Sequence, residues 1–325
     1  MQQTMNAAPQ ATGHVPVAVL SLNPAVDMTY EISELAEDQK VHALATRYDP
    51  GGNGINVGRA LKRLNTLAHN YCVVAGEIGR LLQRLLAHQL DVVQYDEVDG
   101  ETRINGTALE RGPGVQYEIS GLGPPIPAPQ LGALLDLFVE RSRPGFGVLT
   151  GSLQRGLSSR LYAELAGRIR EGGGRAVVDA HDEVLRRAIE AGPFLIKPNH
   201  HELEALVGRD LPGIEAVAEQ ARALQHQGVA HVCVSLGPRG AVLTGPDNSY
   251  LATAPKVPVD STVGAGDSMV AGMVAAFARG ASAEQALRQG VACGAGTVQQ
   301  PGTELFSGPR IANLAARVEI RQLDI

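Results

Sequence analysis

The apolar positions of this chain fall into two recurring patterns. Short β-branched apolar runs at residues 15–22, 71–75, 146–150, 176–179, 194–197 and 232–236 have the length and composition of buried strands. Between them, apolar residues recur at helical spacing over 78–90, 158–170, 182–191, 201–207 and 214–227, and a further helical pattern runs on from a glycine-rich stretch at 50–57 through Leu64. This alternation predicts a mainly parallel sheet with helices on both faces. Residues 241–244 follow a Gly237-Pro238-Arg239-Gly240 turn and pair back on the strand before it as a hairpin. Two stretches break the pattern: residues 27–48 and 101–120 are polar with scattered alternation, as in Thr107-Ala108-Leu109 and Tyr117-Glu118-Ile119. They read as exposed strands that join in one small sheet and project from the core as a lid. A proline- and glycine-rich segment at 121–129 closes that excursion.

Composition narrows the picture. A chain of 325 residues with 44% hydrophobic and 19% charged residues can bury a large core, and no internal repeat divides it. One α/β domain over 15–325 is expected, preceded by a polar, Ala/Gln-rich tail at 1–14 that reads as disordered and lacks the regions of a secretory signal. The net charge of −6, without a basic block, argues against a nucleic-acid partner. No apolar run reaches the roughly 18 residues of a membrane span. Cys72, Cys233 and Cys293 are far apart in apolar surroundings, which suits buried thiols of a cytoplasmic protein, not a disulfide framework or a zinc site.

The stretch with most chemistry in it is Asp260-Ser261-Thr262-Val263-Gly264-Ala265-Gly266-Asp267-Ser268-Met269. Its glycines allow a tight loop, and Met269, Val270, Met273, Val274 and Phe277 then recur at helical spacing. Peptide N–H groups and the positive end of a helix dipole converge at such a loop, where a phosphate would settle. Asp267 in the first turn either caps the helix or serves as general base for a hydroxyl that attacks a phosphoryl group. Parallel sheets gather functional loops at the carboxyl ends of their strands, and there stand Asn23 to Asp27, Gly151-Ser152, Lys197-Pro198-Asn199 and Gly237. Neither a Walker A motif nor a protein-kinase glycine loop is present. His200 and His201 are adjacent on a predicted helix and do not share a face, so they read as solvent-facing or structural, not as metal ligands.

Four motifs in order carry a family resemblance: Gly51-Gly52-Asn53-Gly54-Ile55-Asn56-Val57-Gly58-Arg59-Ala60, Lys197-Pro198-Asn199-His200-His201-Glu202, Ser235-Leu236-Gly237 and Asp260 to Met269. From about Val17 to Ala316 the chain resembles the ribokinase-like superfamily of carbohydrate kinases, in its phosphofructokinase B branch. The resemblance implies a three-layer α/β sandwich with a β-sheet lid, and ATP-dependent phosphorylation of a sugar phosphate. It makes Asp267 the base, with the amides of Gly264, Ala265 and Gly266 as the anion hole. Asn199 and Glu202 would organise Mg²⁺ through water, and Ser235, Gly237, Thr262, Gly264 and Gly266 would line the nucleotide. For the acceptor it points to Asp27, Gly51, Gly52, Asn56, Arg103 and Ser152, with Lys40 as an active-site lysine. A K⁺ site would involve Ser261, Val263, Thr297, Gln300 and Gly302, and a homodimer would form through the lids.

This chain departs from the family in three places. Asn53 stands where many 1-phosphofructokinases have lysine, and His42 where 6-phosphofructokinases of this branch often have arginine. The loop Ala75-Gly76-Glu77-Ile78-Gly79 is shortened. Fructose 6-phosphate is the favoured acceptor, ahead of fructose 1-phosphate and tagatose 6-phosphate. A purine or pyridoxal kinase fits less well, because Arg103, Ser152 and Lys40 suit a phosphorylated acceptor. The rival of another class is a catalytically idle sugar-phosphate-binding regulator on the same fold.

Overall fold

The computed structural model describes residues 15–112 and 115–325, so the expected tail lies outside the described residues. The chain opens with β1 (Val17–Ser21) and passes into the lid strands β2 (Ala25–Ile32) and β3 (Ala45–Gly51). It returns through α1 (Asn53–Arg63), β4 (Ala68–Ala75), α2 (Gly76–Leu86) and β5 (Val92–Val98), then revisits the lid as β6 (Arg103–Glu110) and β7 (Gln116–Ile119). Next come α3 (Ala128–Ser142), β8 (Phe146–Thr150), α4 (Leu161–Glu171), β9 (Arg175–Asp179), α5 (Asp182–Glu190) and β10 (Leu195–Ile196). Then follow α6 (His200–Val207), α7 (Ile214–His226), β11 (His231–Ser235), β12 (Ala241–Thr244) and β13 (Ser249–Thr253). Helices α8 (Ala265–Ala278), α9 (Ala283–Thr297) and α10 (Ile311–Ala315) precede the last strand, β14 (Glu319–Leu323).

The main sheet has the order β14-β13-β12-β11-β10-β9-β8-β1-β4-β5. Pairing is parallel from β5 through β11, and β12, β13 and β14 add an antiparallel edge. Side chains alternate across the strands and build a core on each face. Leu20, Val178, Ile196 and Val234 pack with α3 to α7, whereas Val19, Val148, Val177 and Leu195 pack with α1, α8, α9 and α10. Three layers result, as the alternation of elements implied.

The small sheet has the order β3-β2-β6-β7. Its strands β2 and β6 are parallel and in register, Asp27 opposite Asn105 and Ala25 opposite Arg103. The lid extends further toward the core than its polar pattern suggested. Strand β2 begins at the buried Ala25, and β3 ends at Gly51, directly against the first turn of α1. Ile104, expected on an exposed lid surface, instead packs against the third core cluster, with Val26, Ile55 and Leu82. The exposed apolar side of the lid consists of other residues. The register sets Tyr48, Met28, Gly106 and Ile119 in one cross-strand row, and Thr46, Tyr30, Ala108 and Tyr117 in the next. Ile119 is 74% exposed and Tyr48 is 46% exposed. Among the described residues no helix is long and apolar enough to cross a membrane, and all three cysteines are buried and unpaired.

Candidate active site

The carboxyl ends of β8 and β9 converge with the lid strands β2 and β6 and the N-termini of α1, α6 and α8 on a cavity of about 420 Å³, within the range of small-molecule sites. Helix α8 holds one wall. Gly264, its N-cap, has φ +75°, a left-handed conformation that a side chain would strain, and Asp267 lies two residues into the helix. Met269, Val270, Met273, Val274 and Phe277 of α8 are buried, each worth about 1.5–3 kcal/mol, so the first turn is anchored by the core. The amide of Ala265 donates to Thr262 O at 3.3 Å, which closes the turn ahead of the helix.

Asp267 is buried and receives one amide on each carboxylate oxygen. Asn53 Nδ2 donates to Oδ1 and Asn56 Nδ2 to Oδ2, both at 2.9 Å. The fully buried Arg59 stands behind Asn56 and donates to its Oδ1 at 3.3 Å, which fixes the amide with its Nδ2 toward Asp267. Arg59 also donates to Pro50 O and Thr303 O, and burial lowers its pKa to about 10. Burial raises the pKa of Asp267 to about 6, with help from the Asp179 carboxylate, while the two asparagine amides and Lys197 act the other way. Lys197 is itself buried, 3.1 Å from Asp179. Burial opposes its charge, but Asp179, with Glu202 and Asp267 further off, raises its pKa.

The side of the cavity toward the small sheet is built from the lid root. Asn105 Nδ2 donates to Asp27 Oδ1 at 2.7 Å, and Asn105 Oδ1 accepts from Gly121 N. Burial raises the Asp27 pKa, although Asn105 and Arg103 favour its charged form. A Cβ at Gly51 would collide with the Asp27 carboxylate, so only glycine lets these strands close there. Gly52, at φ +99°, turns the chain into α1 and lines the cavity. Arg103 is 9% exposed; its Nε donates to Asn23 O and one terminal nitrogen to Ser120 Oγ, both at 3.1 Å. Burial lowers its pKa, and nearby Asp27 works against that. Asn23 Nδ2 in turn donates to Ser152 Oγ at 3.1 Å.

On the other side of Asp267, Asn199 and Glu202 form a capping box at the start of α6. Asn199 Oδ1 accepts from Glu202 N at 2.9 Å, and Glu202 Oε2 accepts from Asn199 N at 2.8 Å. Glu202 thus fulfils the structural role open to a first-turn carboxylate, and it also lines the cavity. Ser235 bridges to Asn199 at the end of β11, and Gly237 follows with φ +60°. Neither residue lines the cavity, and Thr262 does not either.

A second cavity, of about 680 Å³, lies under the lid and shares Asp27, Asn105, Ser120 and Val263 with the first. Ser261, Val263 and Gly302, expected at a K⁺ site, line it together with Arg47, whose guanidinium rests against Gly302. The Thr297 hydroxyl is paired with Ser268 Oγ at 2.7 Å, and Gln300 N donates to Thr297 O.

Within a single chain Lys40 is not brought to the site. It is exposed in the connection between β2 and β3, beyond the tip of strands whose root carries Asp27, and lines neither cavity. His200 and His201 open helix α6. His200 is within 3.0 Å of Leu211 O, His201 is exposed, and among the described residues no cluster of three or more acidic, histidine or cysteine ligands occurs. Sequence reasoning gave no role to Asn53, Asn105, Arg59 or Asp179. The signals available were polar residues inside the Gly51 to Ala60 motif and an aspartate at the carboxyl end of a buried strand; Asn105 had none of its own.

The model of the pfkB family of carbohydrate kinases matches residues 16–308. The 1-phosphofructokinase of Bacillus subtilis (strain 168) is 34% identical over 313 residues, 94% of this chain and 100% of that one. The ATP-dependent 6-phosphofructokinase isozyme 2 of Escherichia coli (strain K12) is 34% identical over 295 residues, 90% of this chain and 96% of that one. Phosphofructokinase-2 from Escherichia coli, solved in complex with substrates and products, superposes with a TM-score of 0.88 at 32% identity over 93% of this chain and 99% of that one. The same enzyme solved in complex with potassium gives 0.88 and 32%, over 93% of this chain and 98% of that one.

Proposed function

Because the chain belongs to the pfkB family of carbohydrate kinases, we propose that its cavity transfers the γ-phosphate of ATP to the free primary hydroxyl of a fructose monophosphate, giving fructose 1,6-bisphosphate. One observation carries this reading: the buried Asp267, at the N-terminus of α8, shares a cavity with Arg103 and Ser152. The first supplies a base beside an anion-binding turn; the other two supply a cation and a hydroxyl for the acceptor's own phosphate.

The hydroxyl donates its proton to a carboxylate oxygen of Asp267 as its oxygen attacks the γ-phosphorus. The bond from that phosphorus to the ADP oxygen breaks in line. Amides of Gly264 and Gly266, that of Ala265 once it leaves its long bond to Thr262 O, and the dipole of α8 stabilise charge on the phosphoryl oxygens. Asp27, backed by Asn105, holds sugar hydroxyls, and Gly51, Gly52 and Asn56 line the sugar. Ser235 and Gly237 bind the nucleotide from the end of β11. Asn199 and Glu202 form an all-oxygen donor set of the kind hard cations take, and one Glu202 oxygen is left outside the capping box. They would hold Mg²⁺ through water, which supplies counter-charge to the ATP phosphates. Carbonyl oxygens near Ser261, Val263, Thr297, Gln300 and Gly302 suit K⁺ as donors, with Arg47 of β3 as a competing positive charge against Gly302.

We assign the lids to a homodimer, as an uncovered few-stranded sheet is marginal and this one exposes Tyr30, Tyr48, Tyr117 and Ile119. Lys40 and His42 then act at the neighbouring subunit's acceptor site. Buried, unpaired thiols suit a cytoplasmic protein.

Fructose 6-phosphate is the main reading, since Asn53 replaces the lysine of many 1-phosphofructokinases. Fructose 1-phosphate is the second, favoured by the 34% identity to the Bacillus subtilis enzyme over its whole length. Steady-state ADP release across phosphorylated ketohexoses separates them: kcat/KM is highest for fructose 6-phosphate, and a higher value for fructose 1-phosphate selects the second reading. No turnover with any of them would leave the idle regulator.

A further inference from the structure

Asn53 is the first residue of α1 and is largely exposed, a place where an amide side chain ordinarily serves only water. Here its Nδ2 reaches Asp267 Oδ1 at 2.9 Å, from 214 positions away in the chain. Its other side lies against Gly151, whose φ of +90° and missing side chain make the room. Asn56 holds the second oxygen of the same carboxylate and is itself fixed by Arg59. Two amides, one per oxygen, define the plane of a carboxylate. They do not exhaust it, because each oxygen keeps a further lone pair for an incoming hydroxyl.

Other charges around Asp267 come from the ends of two strands: Asp179, the last residue of β9, opposes its ionisation, and Lys197, just past β10, favours it, while Asp27, Arg103, His181 and Glu202 line the same cavity. Arg59 of α1 stands one residue further back, behind Asn56. Among these groups Asn53 is the one at the solvent side of the cavity, and it also lines the small recess beside Gly151 and Ser152. An amide N–H binds a carboxylate more strongly than a carboxylic acid.

We infer that Asn53 is a positioning residue for the transfer reaction, orienting the Asp267 carboxylate toward the acceptor hydroxyl and setting the lowest pH at which it can take the proton. This rests on Asp267 being the base, as proposed above. When the hydroxyl proton moves to Asp267 and the new P–O bond forms, the amide pair faces a neutral acid that it holds less well. That difference favours return of the proton to water once ADP has left.

The test is the pH profile of kcat/KM for Asn53→Ala and Asn53→Asp, with Asp267→Asn run alongside. Asn53→Ala moves the acid limb up by about one pH unit and lowers kcat about 10-fold, with KM for ATP unchanged, the loss expected for one hydrogen bond to a charged group. Asn53→Asp keeps the shape but sets a like charge against Asp267, and moves the limb further up. A wild-type limb in both variants overturns the inference. So does a wild-type limb in Asn53→Asp alone, which would mean that only packing against Gly151 matters. If Asp267→Asn turns over normally, the base assignment fails and this inference with it. If Asp267→Asn is inactive while the Asn53 variants are unshifted, the base stands and only the role of Asn53 falls. The exposed position of Asn53 makes both variants compatible with folding, and unchanged melting temperatures verify it.

Discussion

Replacing Arg103 by alanine separates acceptor recognition from catalysis. The side chain is 9% exposed and makes two protein hydrogen bonds, from Nε to Asn23 O and from a terminal nitrogen to Ser120 Oγ. Among the described residues its second terminal nitrogen has no partner, and the group faces the cavity that contains Asp267 and Ser152. A charge-assisted hydrogen bond to an ionised group is worth about 1.5–3 kcal/mol, so its loss raises KM for the sugar phosphate roughly 10- to 150-fold. The alanine variant also leaves Asn23 O and Ser120 Oγ without that donor, but Ser120 is exposed and Asn23 only half-buried, so the stability cost lies at or below about 1 kcal/mol. It removes a positive charge that favours ionised Asp27 as well. Melting temperature must therefore be followed with the kinetics. Arg103→Lys restores the charge but not the fork geometry and recovers part of the affinity. Initial rates against each substrate in turn decide the matter: KM for ATP stays within twofold, and kcat at saturating acceptor changes less than KM. If Arg103→Ala keeps its affinity for the sugar phosphate and loses it for ATP, the assignment of this end of the cavity to the acceptor phosphate is refuted.

Two other predictions follow from the lid and from the loop beneath it. Sedimentation gives a dimer for the wild type and a monomer, with weakened acceptor binding, for the double variant Tyr117→Asp, Ile119→Asp; a wild type that is monomeric at micromolar concentration and fully active contradicts the shared lid. Replacing potassium by a large organic cation lowers the rate if carbonyls around Ser261 and Gly302 hold K⁺, whereas equal rates mean that the Arg47 guanidinium against Gly302 leaves no room for a functional ion.

How much of this was legible in the chain depends on whether the signal was local. Buried parallel strands such as Phe146–Thr150 are continuous apolar runs and can be read directly. The edge strands were not: Val92–Val98 and Glu319–Leu323 are half exposed, and their polar residues dilute the pattern. Helix α9 is rich in small residues because it packs tightly on α8, where a Cβ on Gly272 or Gly290 would already be crowded. Small residues give little apolar periodicity. At the site, Asp267 and Asn56 lie within the quoted motifs and Asp27 and Arg103 follow from the family resemblance, so the sequence locates them. Asn105 gains its role from the register of two strands almost eighty positions apart, and Arg59 from four oxygen acceptors, on Pro50, Asn56, Gln89 and Thr303, gathered by tertiary packing. No short stretch encodes either. Lys40 shows the reverse case, a residue that the family resemblance brings to the site and that a single chain leaves in solvent.

The central claim is that Asp267 takes the proton of the acceptor hydroxyl, and Asp267→Asn tests it most directly. The substitution keeps the size of the side chain; it removes the base and puts an NH2 group in place of one acceptor oxygen, so that one of the two asparagine amides must turn over or lose its partner. Because the folded carboxyl has its pKa raised to about 6 and must be ionised to act, wild-type kcat/KM falls as pH drops below about 6. The measurement is kcat for ADP release with fructose 6-phosphate, at pH 8 and along that limb. The account predicts a loss of roughly 10²- to 10⁴-fold, the range for general-base catalysis, with KM for ATP little changed and the acid limb near 6 gone. Turnover near the wild-type value, or an unaltered limb, would contradict it.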